Sequence, residues 1–285
     1  MPIDRRRFLL LTALATLSAI GRRVGAQTPA APLRFGVVPY LTARRLATLY
    51  EPARVFFEQT LERPVQFSSA PDYAVHLERL RRREYDLVAD SLPLARLAQR
   101  ELGYLPIART QAPLQPILIA AADSPLRAPE ELRGRTVAVP DRLAALTLIG
   151  LRFLRDHGLS PGKDLTVRVA GSHANAIQLV LAGEAAAAIV SRTALRQIEP
   201  VLVARVRVVI DLPPALSAVV YTVAPSLAGK AEMLGRRLIE FASTDPAGQA
   251  FIESLGHQGL LPVGRELQQV DPLVVEFYRQ MNHAD

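Results

Sequence analysis

The chain has 285 residues, a formal net charge of +7 and 49% hydrophobic residues. A chain of this length and apolar content can bury a core large enough to fold without covalent support. It contains no cysteine, which excludes disulfides, cysteine nucleophiles and thiolate metal sites.

The first predicted element is an export signal at residues 1–26. Three arginines at 5–7 precede an apolar run over residues 8–20, and small residues follow at 24–26. A positively charged segment, a short apolar segment and small residues at the cleavage site are the three parts of a secretory signal peptide. We predict cleavage near Ala26 and a periplasmic mature chain. The alternative is a membrane anchor, but the apolar run is shorter than the roughly 20 residues that a spanning helix needs.

The pattern Arg5-Arg6-x-Phe8-Leu9 resembles the twin-arginine export signal. Asp4 stands where Ser or Thr is usual, so the general export route is kept as an alternative. Residues 1–26 carry five arginines and one aspartate, which leaves only about +3 of the formal charge of +7 on the mature chain. We therefore expect no nucleic-acid partner.

Strands and helices alternate twice along the rest of the chain. The first unit has predicted strands at 33–38, 65–67 and 85–89 and helices at 42–61, 73–80 and 94–101. After an apolar run at 116–122, the second unit has strands at 136–139, 165–169 and 187–190 and helices at 143–157, 173–181 and 193–198. Two further extended segments, at 206–210 and 218–223, precede helices at 227–241, 246–255 and 274–281. The alternation predicts an α/β protein whose parallel sheets carry helices on both faces.

Short segments along these two units resemble a known family. They are RFGVVPY at 34–40, YDL at 85–87, DSLP at 90–93, GY at 103–104, DSPL at 123–126, ELRGRTVAVP at 131–140, AGSH at 170–173, LAGE at 181–184 and PAGQAF at 246–251. Together they resemble the periplasmic substrate-binding proteins of phosphate, phosphite and phosphonate ABC transporters. The resemblance covers nearly all of residues 33–262.

The resemblance implies a two-lobed type II periplasmic-binding-protein fold with a ligand cleft between the lobes. Lobe 1 would begin with residues 33–118, lobe 2 would span 119–208, and residues 209–285 would return to lobe 1 and add the C-terminal helices. The crossings, near 116–122 and 206–213, would form a hinge. The resemblance also implies a monomer that has no catalytic activity and no cofactor, and that delivers a small oxyanion to an ABC permease.

The main departure from the family falls at the start of the helix after the first lobe 2 strand. There the family has a Ser-Thr-Ser-type tripeptide that holds the phosphonate oxygens, and this chain has Ala144, Ala145 and Leu146. The backbone N–H groups of a helix N-terminus remain available for an anion. Arg142 either replaces the lost hydroxyls by a charge-assisted contact or faces solvent at the helix start. Thr147 is the nearest remaining hydroxyl.

Two acidic positions of the family are also changed. Family members that bind aminophosphonates hold the ligand ammonium with carboxylates, and the corresponding positions here are Ala186 and Thr193. A buried cationic group without a carboxylate is not compensated. We therefore predict that the chain does not bind 2-aminoethylphosphonate, and that a plainer anion or a largely apolar solute suits it better.

The remaining candidates follow predicted strands, where cleft residues lie in such folds. Each has a structural alternative: Tyr40 as a half-buried ring, Ser172 as a helix N-cap, His173 as a capping or packing residue, and Tyr221 as a core residue. The predicted ligand-binding residues are Tyr40, Ser91, Arg142, Thr147, Ser172, His173, Ser191 and Tyr221.

Three functions are compatible with such a protein. The first is a transport receptor for a small oxyanion, and the second is a sensory binding protein that presents a different ligand to a sensor kinase or chemoreceptor. The third is an enzyme, for which His173 with Asp90 is the one pair we can propose and nothing in the sequence positions it. The five histidines lack metal-ligand spacing, so we predict no metal site and no enzyme.

Overall fold

The computed structural model describes residues 31–196 and 198–282, so the predicted export signal lies outside the described residues. From Pro32 onwards these residues belong to one compact unit. Within the described ranges, each helix is either too short or too polar to cross a membrane.

Strands and helices follow one another as the sequence pattern predicts. The strands are β1 (Leu33–Val37), β2 (Val65–Ser69), β3 (Leu87–Asp90), β4 (Leu105–Thr110), β5 (Pro116–Ala121), β6 (Thr136–Val139), β7 (Thr166–Val169), β8 (Ala187–Ser191), β9 (Val206–Asp211), β10 (Val220–Val223) and β11 (Leu260–Leu261). The α-helices are α1 (Ala43–Leu61), α2 (Tyr73–Arg81), α3 (Leu92–Leu102), α4 (Ala145–Asp156), α5 (His173–Leu181), α6 (Arg192–Leu195), α7 (Pro200–Val203), α8 (Ala231–Thr244), α9 (Pro246–Ser254) and α10 (Asp271–Asn282). Short 3-10 helices occupy Pro129–Leu132, Pro225–Lys230 and Arg265–Val270.

The strands form two sheets. The first has the order β11-β4-β10-β3-β1-β2 and the second has the order β7-β6-β8-β5-β9. Strand β4, which our sequence analysis did not assign, lies inside the first sheet. Its sequence, LPIART, alternates only weakly and contains a proline, which is why the pattern gave no strand there.

The prediction of parallel sheets is correct for the strands joined by helices and wrong for three others. Strands β1, β2 and β3 pair in parallel, as do β6, β7 and β8, whereas β5, β10 and β11 run antiparallel to their neighbours. Strands β5 and β10 are each the first strand after the chain passes from one sheet to the other. The chain leaves one sheet at the side that faces the other sheet and enters the second sheet from that same side. Its first strand there therefore runs antiparallel to the parallel strands of that sheet.

Each sheet buries both of its faces, which explains the continuous apolar runs in the sequence. In β5, Ile117 and Ile119 belong to a cluster with helix α5, while Leu118 and Ala120 face the opposite way. In β3, Leu87 and Ala89 pack with helix α1, while Val88 joins the same cluster as Leu118. The two inner faces therefore contribute to one hydrophobic cluster, and the two outer faces have separate clusters.

The two crossings between the sheets lie at residues 111–115 and 212–219. The segments that we predicted as hinges, 116–122 and 206–213, correspond mostly to strands β5 and β9 of the second sheet, because both are continuous apolar segments that pair with each other. The predicted boundary at 118/119 consequently falls inside β5. The crossings run side by side and are joined by a β-bridge between Leu114 and Ala215.

A buried hydroxyl network fixes the second crossing to the end of β4. The Thr110 Oγ1 atom accepts hydrogen bonds from the backbone N–H groups of Ala218 at 3.0 Å and Val219 at 3.2 Å. It also lies 2.7 Å from the Ser217 Oγ atom, whose one hydrogen can be donated to the carbonyl of Thr110 at 3.0 Å or of Val219 at 2.9 Å. Because Thr110 and Ser217 are fully buried, water does not replace these bonds.

We expect Thr110→Val to lower the free energy of unfolding by about 1–3 kcal/mol, because two buried N–H groups lose their acceptor. Thr222→Val is a matched control, since Thr222 is a buried residue of β10 whose hydroxyl has no hydrogen-bond partner among the described residues. It should change stability by less than about 0.5 kcal/mol or increase it. Urea denaturation of both variants measures the difference. Equal losses in the two variants would contradict the role of Thr110.

Candidate functional site

A cavity of about 70 Å³ lies between the two sheets. It is lined by the residues that follow β1 and β3 in the first sheet and by those at the ends of β6 and β8 in the second. These are the carboxyl ends of parallel strands, where ligands bind in open α/β sheets. At about 10–15 Å³ per water, the cavity has room for a solute of a few non-hydrogen atoms. The lining residues are Val38, Tyr40, Tyr73, Ser91, Leu114, Ala145, Leu146, His173, Ser191, Thr193, Ala194, Ala218, Val219, Leu255 and His257.

Besides α2, which begins at Tyr73, and α6, whose N-cap is Ser191, three helices begin at this cavity. Ser91 is the N-cap of α3, Ala145 and Leu146 are the first two residues of α4, and His173 is the first residue of α5. The first N–H groups of a helix lack carbonyl partners within the helix and lie at its positive dipole end. None of the lining residues at these N-termini is charged, so the backbone N–H groups are the candidate donors to an anion.

Polar side-chain atoms in the cavity wall lack partners within the protein. The Ser91 Oγ and His173 Nδ1 atoms form no hydrogen bond with any described residue, although Ser91 is 6% exposed and His173 is 2% exposed. The Nδ1 atom of His257 is in the same situation. Ser91 is an N-cap whose hydroxyl does not cap, whereas Ser172, the N-cap of α5, accepts a bond of 3.1 Å from the Asn175 N–H. Because buried polar atoms are normally satisfied, these atoms point to a ligand.

Both histidines of the wall are uncharged at neutral pH. Burial lowers the pKa of His173 to about 4. Burial, and then the positive charge of Arg196, lower the pKa of His257 to about 4. A neutral imidazole carries one hydrogen-bond donor and one acceptor, so each histidine offers both to a ligand.

Tyrosines form one side of the site. Tyr40 and Tyr73 line the cavity, and Tyr50 and Tyr221 lie behind them, close enough that the groups influence one another electrostatically. Burial raises the pKa of Tyr40 to about 12, and it raises the pKa of Tyr73, Tyr50 and Tyr221 further. All four hydroxyls are therefore protonated and can donate hydrogen bonds.

Four of the eight predicted site residues line the cavity: Tyr40, Ser91, His173 and Ser191. The other four are not among its lining residues. Tyr221 and Thr147 are fully buried in the core, on β10 and in the first turn of α4. Ser172 caps α5, and Arg142 lies in the partly exposed turn before α4. Within α4, the change in side-chain direction from one residue to the next separates Thr147 from Ala145 and Leu146, which are at the wall.

Sequence reasoning missed several lining residues. Leu114, Ala218 and Val219 come from the two crossings, and Leu255 and His257 follow helix α9. No local pattern marks these positions, because they reach the site only through the return of the chain to the first sheet. Tyr73, the first residue of α2, also lines the cavity and is not among the predicted site residues.

Asp90 is not paired with His173, the pair that we considered for an enzyme. Its Oδ2 atom lies 3.2 Å from the Nε2 atom of His76, and its Oδ1 atom accepts the Ser91 N–H at 2.9 Å. Both Asp90 and His76 are fully buried behind the wall. Within the described ranges, no cluster of three or more His, Cys, Asp or Glu residues is arranged to hold a metal ion.

A more open groove of about 710 Å³ borders the cavity at His173, which lines both. On one side the groove is formed by the start of α1, including Arg45, and on the other by the segment around α6 and α7, including Arg196 and Glu199. Its two basic residues give the approach to the cavity a positive character.

The family model described as ABC transporter, phosphonate, periplasmic substrate-binding protein matches residues 35–266. Among curated proteins, none matches this chain. Solved structures with the same fold include a binding protein component of an ABC phosphonate transporter from Pseudomonas aeruginosa, with a TM-score of 0.76, 16% identity and coverage of 88% of each chain. PhnD1 of Prochlorococcus marinus in complex with methylphosphonate has a TM-score of 0.72 and 12% identity, over 88% of this chain and 98% of that one.

A Xanthomonas citri protein bound to ATP has a TM-score of 0.72 and 18% identity, over 90% of this chain and all of the other. Likenesses at such low identity show the fold alone. They confirm the predicted two-lobed type II periplasmic-binding fold.

The contrast between Ser91 and Ser172 gives a stability prediction. We expect Ser172→Ala to lower the free energy of unfolding by about 1 kcal/mol, because helix α5 loses its side-chain cap. Ser91→Ala should cost less than about 0.5 kcal/mol, because its hydroxyl makes no bond to the described residues of the protein. Ligand-free urea denaturation of both variants measures this, and a larger loss for Ser91→Ala than for Ser172→Ala would contradict it.

Proposed function

Because the chain belongs to the family of periplasmic substrate-binding proteins of phosphonate ABC transporters, we propose that its cavity captures a small oxyanion of the phosphonate, phosphite or phosphate type. The protein is a binding protein rather than an enzyme and serves an ABC permease. The observation that carries the ligand proposal is the meeting of three helix N-termini with the unsatisfied Ser91 Oγ and His173 Nδ1 atoms.

In this proposal the anion is held mainly by neutral donors. The N–H groups at the start of α4 act where the family tripeptide would place hydroxyls, and Ser91 and Ser191 contribute hydroxyls from the first and second sheets. The Ser191 Oγ atom already accepts the Ala194 N–H at 3.4 Å, so its hydrogen is free to be donated to an oxyanion. Tyr40 and His173 complete the proposed set. Arg142, Thr147, Ser172 and Tyr221 are left out because they do not line the cavity.

The wall also supports the exclusion of 2-aminoethylphosphonate. Thr193 lines the cavity where aminophosphonate-binding relatives would have an acid, and Ala186 packs partly buried against the core. Among the described residues that line the cavity there is no carboxylate. A ligand ammonium would be desolvated there without a counter-charge.

We propose that the two sheets mark two lobes, with the crossings at 111–115 and 212–219 as the hinge. The cavity lies between the lobes and is small, so a ligand would enter when they separate and be enclosed when they close. We also propose that residues 1–26 direct export, by the twin-arginine or the general route, with cleavage near Ala26, and that the mature protein is a monomer. Transport is favoured over a sensory role because the family is one of ABC transporter components.

The test is calorimetric titration and thermal melting of residues 27–285 with methylphosphonate, phosphite, phosphate and 2-aminoethylphosphonate. A ligand at 100 times its Kd should stabilise the protein by about 2.7 kcal/mol. We expect binding of methylphosphonate or phosphite, and at least about tenfold weaker binding of 2-aminoethylphosphonate.

Two variants locate the site. Ser91→Ala should weaken binding about tenfold, equivalent to roughly 1.4 kcal/mol for one lost hydrogen bond to an anion. Ser172→Ala, which removes a hydroxyl outside the cavity, should leave Kd within about twofold. An unchanged Kd for Ser91→Ala would place the ligand elsewhere, and the absence of binding by every phosphorus oxyanion would refute the proposed ligand class.

A further inference from the structure

The wall of the cavity is electrically neutral. None of the described residues that line it is Asp, Glu, Lys or Arg. The two imidazoles are uncharged because their pKa values lie at about 4, and the tyrosines are uncharged because burial raises their pKa values. An anion in this cavity therefore meets dipoles and hydrogen-bond donors but no formal positive charge.

The charged groups around the wall are arranged unfavourably for a doubly negative ligand. On the inner side, buried Asp90 lies directly behind Ser91, and Asp141, whose pKa is raised by burial, lies near Tyr73. On the outer side, Arg45 and Arg196 line the open groove beyond His173 rather than the cavity. Arg196 acts electrostatically on His257 and Arg45 acts on Tyr40, but neither arginine lines the cavity. Among the described lining residues, a second ligand charge therefore has no cationic side chain in contact with it.

The unsatisfied atoms of the wall suit an oxyanion that retains a proton. Hydroxyls such as Ser91 Oγ both donate and accept, and a neutral imidazole always has one nitrogen that accepts. The Nδ1 atoms of His173 and His257 form no hydrogen bond with described residues, so an acceptor is available for an acidic ligand hydroxyl. The wall also contains the apolar side chains of Leu114, Leu146 and Leu255, which suit a small alkyl group.

We propose that the site selects singly charged oxyanions that carry a compact apolar substituent, such as the monoanion of an alkylphosphonate or an alkylsulfonate, and discriminates against dianions. This inference rests on the proposed function and specifies its ligand class. A second negative charge on the ligand loses its hydration when it enters the cavity, and no opposite charge in the described part of the wall compensates for this. The desolvation free energy of that charge exceeds the free energy gained from hydrogen bonds to neutral groups.

Methylphosphonate and methanesulfonate form the matched pair for the test. They have nearly the same shape, but the second ionisation of a phosphonic acid, like that of a phosphate ester, falls near neutral pH. The sulfonate keeps a single charge throughout. Between pH 6 and pH 9 both histidines stay neutral and the tyrosines stay protonated, so the change in ligand charge dominates the comparison.

Calorimetric titration of residues 27–285 across this range should show the methylphosphonate Kd rising about tenfold per pH unit above the second ionisation of the ligand. The methanesulfonate Kd should stay within about twofold. A methylphosphonate Kd that is constant or falls with rising pH would overturn the inference while leaving the proposed function intact. A parallel weakening of both ligands would also overturn it, because the titrating group would then belong to the protein.

The position of the proton is measured by ³¹P NMR of bound methylphosphonate. We expect the bound resonance to keep the chemical shift of the monoanion from pH 6 to pH 9 while the free ligand titrates. A bound resonance at the dianion position would show that the site holds the doubly charged form, and would refute selection of the monoanion. Failure of both ligands and of phosphite to bind at any pH would remove the proposed function together with this inference.

Discussion

The chain passes twice between its sheets, and where the second crossing is buried, at Ser217 and Val219, its backbone must find hydrogen-bond partners outside regular strand pairing. Thr110 does this for the second crossing by accepting from two consecutive N–H groups, and the Ser217 hydroxyl completes the network. The cavity depends on this arrangement, because Ala218 and Val219, which receive these bonds, are themselves part of its wall. The antiparallel strands β5 and β10 follow from the same crossings, since each enters its sheet from the edge that faces the other.

Around this junction the hydrophobic core is divided in a way that suits two lobes. The outer face of each sheet has its own cluster, whereas the inner faces share one that includes helices α3 and α4. The outer cluster stabilises each sheet separately, whereas the shared inner cluster couples the two sheets. The shared cluster and the small enclosed cavity are consistent with lobes that lie close together.

In our proposal, backbone N–H groups bind the anion at the position where the family has hydroxyl side chains. Neutral groups, and no charged side chains among the described residues, line the rest of the cavity. Ala145 and Leu146 remove the side-chain hydroxyls at the start of α4, but the N–H groups of that helix end do not depend on side-chain identity. Burial of His173 and His257 keeps the imidazoles neutral, so the wall has acceptors as well as donors. In our proposal, a site built in this way distinguishes ligands by charge and by the presence of a proton.

The sequence by itself determined the α/β class, the order of most strands and helices, and the family, because apolar periodicity and short motifs are local properties of the chain. It also placed Tyr40, Ser91, His173 and Ser191 at strand ends that line the cavity. It did not reveal strand β4, the antiparallel strands or the contribution of His257, which depend on how distant segments meet. Only the tertiary structure decided which residues at the start of α4 border the cavity and that Tyr221 and Thr147 lie in the core. It also decided that no charged side chain lines the cavity among the described residues. The charge state of a buried histidine, and whether a helix residue points to the cavity or to the core, are set by neighbours far away in the sequence.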